Sequence, residues 1–144
     1  MSGLAALLAG HTPAGIYTWH GAFPAADVQH TVEHAGWRFA RLDGVGTESK
    51  QEFLEGIGQA LDFPDYYGQN FDALADLLGD VDGGDQDGVV LLWEGWAPFA
   101  RADERAFSVA LSVLGTRVNA ERGGPFSVLL RGEGPDVPGV SSLD

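Results

Sequence analysis

The run Val89-Val90-Leu91-Leu92-Trp93 places five apolar residues in succession with no polar position among them. Its length suits a strand, and a strand that is apolar on both faces has to be covered on both, as in the middle of a sheet with helices packed against it. Phe126-Ser127-Val128-Leu129-Leu130 reads as another strand. Trp37-Arg38-Phe39-Ala40-Arg41-Leu42 mixes large apolar with basic residues, which fits a strand with half its surface toward solvent, and Asp43-Gly44-Val45-Gly46 stops it. Ile16-Tyr17-Thr18-Trp19 is β-branched and aromatic and reads as a short strand.

Helical patterns separate these strands. Pro24 to Ala35 carries Val28, Thr31, Val32 and Ala35 at helical spacing, and Ser49 with Glu52 gives a capping-box pattern ahead of Phe53, Leu54, Ile57 and Leu61. From Ala102 to Glu121 the stripe Ala106, Phe107, Ala110, Leu111, Leu114 and Val118 predicts one long amphipathic helix. Alternation of strand and helix predicts an α/β fold, a parallel sheet joined by right-handed crossovers. The 144 residues fit one domain, residues 1–144, with the stretch 132–144 as a tail.

Composition narrows the function classes. Twenty-one acids against eight bases leave a formal charge of −13, which opposes nucleic acid and anionic membranes and favours a basic partner. Without cysteine, a disulfide framework, a thiolate metal site and a cysteine nucleophile are all excluded. The N-terminal run from Met1 to Gly10 has no basic region and reads as a mature terminus, and no stretch approaches the roughly 20 apolar residues of a membrane span. A cytoplasmic protein is expected.

The segment Phe63-Pro64-Asp65-Tyr66-Tyr67-Gly68-Gln69-Asn70-Phe71-Asp72-Ala73-Leu74-Ala75-Asp76-Leu77-Leu78 has polar residues that folding explains poorly. Asn70 is a good N-cap for a helix running to about Leu78, and Gly68 supplies a loop position before it. Phe71, Leu74, Leu77 and Leu78 share the core-facing side, whereas Asp72 and Asp76 lie four apart on another. Such a like-charged pair costs roughly 0.2–0.5 kcal/mol. Asp72 recovers part of this at the positive end of the helix dipole, but stability gives little reason for Asp76.

In this order of residues the segment resembles the signature of the barstar family, intracellular inhibitors of secreted microbial ribonucleases. The resemblance extends more weakly from about Trp37 to about Leu130. It implies a barstar-like core over residues 37–131, a three-stranded parallel sheet from the strands near 37–42, 89–93 and 126–130. Residues 1–36 form an extension whose strand adds a fourth. Carried over, Tyr66 and Tyr67 match the tyrosine pair, Gly68 the loop, Asn70 the cap, and Asp72 and Asp76 the acidic contacts. Ala75 stands where a bulky aromatic is found in the best-known inhibitor, and Thr116 to Asn119 lacks an acid where a further contact is expected. The expected protein is no enzyme and needs no cofactor or metal. It is a monomer when free and blocks a basic, guanyl-type extracellular ribonuclease. The alternative partner is another basic protein or toxin nuclease.

Other patterns are weaker. His30-Thr31-Val32-Glu33-His34 matches the H-x-x-E-H arrangement of inverted zinc peptidases, so a zinc hydrolase through His30, Glu33 and His34 is a further alternative; it requires a third ligand, and a solvated polar face opposite Val28 and Val32 also explains the residues. Gly44-Val45-Gly46-Thr47-Glu48-Ser49 lacks the third glycine of a dinucleotide fingerprint and is ordinary turn chemistry. Asp80, Asp82, Asp85 and Asp87 do not complete a calcium loop, since Asp85 and Leu91 stand where glycine and glutamate are needed. Trp93 and Trp96 read as packing residues.

Overall fold

A computed structural model describes residues 2–143. Its elements are α1 (Ser2–Leu8), β1 (Ile16–Trp19), α2 (Ala25–His34), β2 (Arg38–Asp43), α3 (Lys50–Ala60), α4 (Phe71–Leu78), β3 (Val89–Glu94), α5 (Ala97–Ala102), α6 (Glu104–Val118), β4 (Phe126–Arg131) and β5 (Ser141–Ser142). The strands form one sheet in the order β2-β3-β4-β1-β5, and every pairing is parallel.

The apolar run is central, as its composition requires. Val89, Leu91 and Trp93 point into a core shared with α3, α4, α5 and α6. Val90 and Leu92 point the other way, toward Leu4 and Leu7 of α1 and Val28 and Val32 of α2. The period of two in a strand thus divides one sequence segment between two cores. Ser127, the polar residue in the otherwise apolar β4, is fully buried, and its hydroxyl accepts the Gly15 backbone N–H at 3.2 Å.

One expectation needs correction. The sheet has five strands, because the stretch 132–144 is not a free tail: Ser141 and Ser142 pair with Tyr17 and Thr18, and the Leu143 N–H donates to the Thr18 carbonyl at 2.9 Å. Leu143 is buried against α1, where a side chain at Gly3 would collide with its carbonyl. Two strand residues set among glycines and prolines carry no periodic signal, and only the free edge of β1 makes them a strand. The N-terminal stretch forms α1, held by Leu4 and Leu7 in the second core. The long helix expected over Ala102 to Glu121 is α6, and the short α5 precedes it; the two are divided at Asp103, whose carboxylate accepts the Ala106 N–H at 3.0 Å as the cap of α6. Pro98 sits in the first turn of α5, a position that tolerates proline.

Candidate functional site

The candidate face is built from the α3–α4 connection and α4. Asn70 caps α4 as expected, accepting the Ala73 N–H at 2.8 Å from extended backbone. Leu74 and Leu78 are buried beneath the helix, while Phe71 and Leu77 are only half-buried. Burying that side turns Asp72, Ala75 and Asp76 outward, and all three are exposed. Among the described residues no basic side chain forms an ion pair with either aspartate.

The two tyrosines separate. Tyr66 is 79% exposed. Tyr67 turns inward, its ring edge-on to Phe63 at 4.9 Å and lying on α3 at Gly58, where a Cβ would stand 2.8 Å from the ring. Burial pushes its hydroxyl pKa up to about 12, and among the described residues that hydroxyl has no hydrogen-bond partner. Tyr67 therefore anchors the loop and Tyr66 is the presented ring. Gly68 is exposed beside Asn70 in the loop, as expected, and the left-handed residue of the loop is its neighbour Gln69, at φ 51°. The Gln69 side chain compensates by accepting the Gln51 amide at 2.5 Å, which ties the loop to the first turn of α3. On the same turn Lys50 lies 5.0 Å over the Phe71 ring.

Gly58, Lys50, Gln51 and Gln69 were not legible as supports of this face, since each acts through a neighbour nine or more positions away in the chain. Arg117 was missed for the same reason. It is buried in α6, and its guanidinium donates to the carbonyls of Val81 (2.7 Å), Gly123 (3.0 Å) and Gly124 (3.2 Å), clamping the turn after α4 to the approach to β4. Burial lowers its pKa, with the charge of Asp82 acting in the opposite sense. A basic residue in the region 116–119 is thus structural, and the exposed Thr116 beside it donates back to the Ser112 carbonyl at 3.1 Å.

The remaining candidates do not join this face. His30 and His34 are exposed on α2, in the opposite layer. Among the described residues no three His, Cys, Asp or Glu side chains gather as a metal site, so the third ligand that a zinc hydrolase requires is not in place. The acidic turn is ordered by Asp82, which accepts the Gly84 N–H at 2.8 Å. At the carboxyl ends of the strands Glu94 binds Arg131 and, at 2.6 Å, Arg41. Partial burial raises the Glu94 pKa, but the hydrogen bonds from Arg131 and then Arg41 outweigh it, and the carboxyl sits below its ordinary range. That ladder ties β2, β3 and β4 together. No helix among the described residues is long and apolar enough to cross a membrane.

The fold is a parallel α/β domain that presents a capped, outward-facing acidic helix. The family model described as Barstar (barnase inhibitor) matches residues 37–131, and the chain belongs to the barstar family. No curated protein matches it significantly. Among solved structures it is similar to the Aeropyrum pernix ORC2 protein (ADPNP-ADP complexes), with a TM-score of 0.60 at 13% identity, over 91% of this chain. The chain spans 38% of the length of that one, and the likeness is one of fold.

Proposed function

We propose that the protein inhibits a guanyl-type extracellular ribonuclease in the cytoplasm of the producing cell, by laying the Tyr66–Asp76 face over the enzyme's basic active site. The observation that carries this reading is the pair Asp72 and Asp76, exposed on a rigid capped helix without ion-pair partners among the described residues. A site that cleaves RNA binds phosphate with cationic side chains, and two fixed carboxylates occupy the positions of substrate phosphates. The helix is already formed, so little ordering cost attends binding. The formal charge of −13 speeds encounter with a basic enzyme in a salt-dependent way. Inhibition needs no catalysis, cofactor or metal in the inhibitor, which acts as a monomer.

Calorimetric titration into guanyl-specific microbial ribonucleases, with RNA cleavage followed in parallel, tests the proposal. The expected result is one-to-one binding with loss of cleavage, weakened at least about tenfold (roughly 1.4 kcal/mol) in Asp76→Ala. Absence of binding to any ribonuclease refutes it. The exposed Ala75, in place of an aromatic, and the lack of an acid near Thr116 favour a second reading, a different basic protein as partner.

A further inference from the structure

We propose that His30 and His34 form a two-imidazole clasp for one divalent transition-metal ion, in the layer of the fold opposite α4. Burial of Val28 and Val32 fixes the rotation of α2 and leaves positions 30 and 34 exposed, one turn apart. Their rings stack with centroids 5.8 Å apart and planes 17° from parallel. With metal–nitrogen bonds of about 2.0–2.1 Å, an ion lies about 3.2 Å from each ring centroid, so two imidazoles on one ion have centroids roughly 5–6 Å apart. Coordination also needs each nitrogen lone pair, which lies in its ring plane, to point at the ion, so the stacked rings turn about their side-chain bonds to bind; both side chains are exposed one helical turn apart and can do so without moving the backbone.

The surroundings favour a cation in two further ways. His34 is the last residue of α2 and His30 lies one turn before it, so the ion sits near the negative end of the helix dipole. The pair also borders a shallow cavity of about 380 Å³, walled on one side by Ala5, Leu8 and Ala9 of α1. That apolar wall shields one side of the ion, and the open side admits water as the remaining ligands. Imidazole pairs suit zinc and nickel. Glu33 is held instead by the Gln29 amide at 3.5 Å, so the site binds a metal without the base that hydrolysis requires. An ion bridging positions 30 and 34 closes one helical turn and stiffens the end of α2 against α1.

Calorimetric titration of the full chain with Zn²⁺ and Ni²⁺ tests the clasp, alongside His30→Gln, His34→Ala and, as a control, His11→Ala. One ion per chain is expected. Because two tethered ligands act together, loss of either clasp imidazole lowers affinity by about 10²-fold, with His11→Ala unchanged. The exposed helical positions tolerate these substitutions, and circular dichroism reports whether each variant is folded. A loss of about tenfold or more in either clasp variant supports the site. No binding of either ion, a smaller loss, or an equal loss in His11→Ala overturns it.

Discussion

Replacing Arg117 with methionine keeps much of the stem volume and removes every donor of the guanidinium. Three carbonyls lose their partners: Val81, itself 5% exposed, and those of Gly123 and Gly124, which lie nearer to solvent. Water can reach the last two. The Val81 carbonyl loses both its bonds, at 2.7 and 3.2 Å, and a buried acceptor left unpaired costs about 1–3 kcal/mol. The guanidinium also lies 5.0 Å over the Phe126 ring, a contact worth about 0.5–2 kcal/mol. Removing a charge that burial disfavours returns part of this. The net loss is about 3 kcal/mol, or about 10 °C in Tm for a chain of this size. Differential scanning calorimetry measures the shift, and hydrogen exchange locates it: amides of the turn between α4 and β3 lose protection before those of the sheet. A fall in Tm below about 3 °C, less than 1 kcal/mol, refutes the clamp.

Tyr67→Phe is expected to be neutral or to stabilise by up to about 1 kcal/mol, because the hydroxyl it removes is buried without a partner. The raised tyrosine pKa means that the fold favours the neutral form. Its contribution is fully present below the usual value of 10.0 and is lost as pH rises through about 12, so the wild type loses stability in that window more steeply than the variant. Absorbance titration of tyrosinate checks the midpoint, and a phenylalanine variant destabilised by more than about 1 kcal/mol counts against the reading. Gly58→Ala forces a methyl to 2.8–2.9 Å from the Tyr67 ring. Overpacking of about 1–3 kcal/mol exceeds the gain in helix propensity of about 1 kcal/mol. The displaced loop lowers partner affinity at least about tenfold; an unchanged affinity shows that Tyr67 does not position the face.

The parts of the candidate face that were legible are those governed by neighbours in the chain. The Asn70 cap acts on Ala73, three residues on, and the rotation of Asp72 and Asp76 away from Leu74 and Leu78 follows from the helical period. Which tyrosine is presented was not legible. Tyr66 and Tyr67 are alike in type and adjacent, and the choice is made by Gly58 on another helix, which leaves room for one ring. Nor was the left-handed backbone at Gln69 legible, since its side chain is held by the Gln51 amide, eighteen residues away.

The sequence by itself determined the fold class and the identity of the central strand. An apolar run without a polar face can be satisfied only by burial on both sides, whatever the rest of the chain does. It also determined the caps at Ser49 and Asn70, whose hydrogen bonds close within three residues. Only the tertiary structure decided that the final residues pair with β1, that Asp103 divides two helices, and that Arg117 is buried while Asp82 near it stays exposed. Each of these depends on an unpaired edge, a packing angle or a set of carbonyls brought together from distant segments. Such interactions exist only after the chain has folded, so they leave no local periodicity to read.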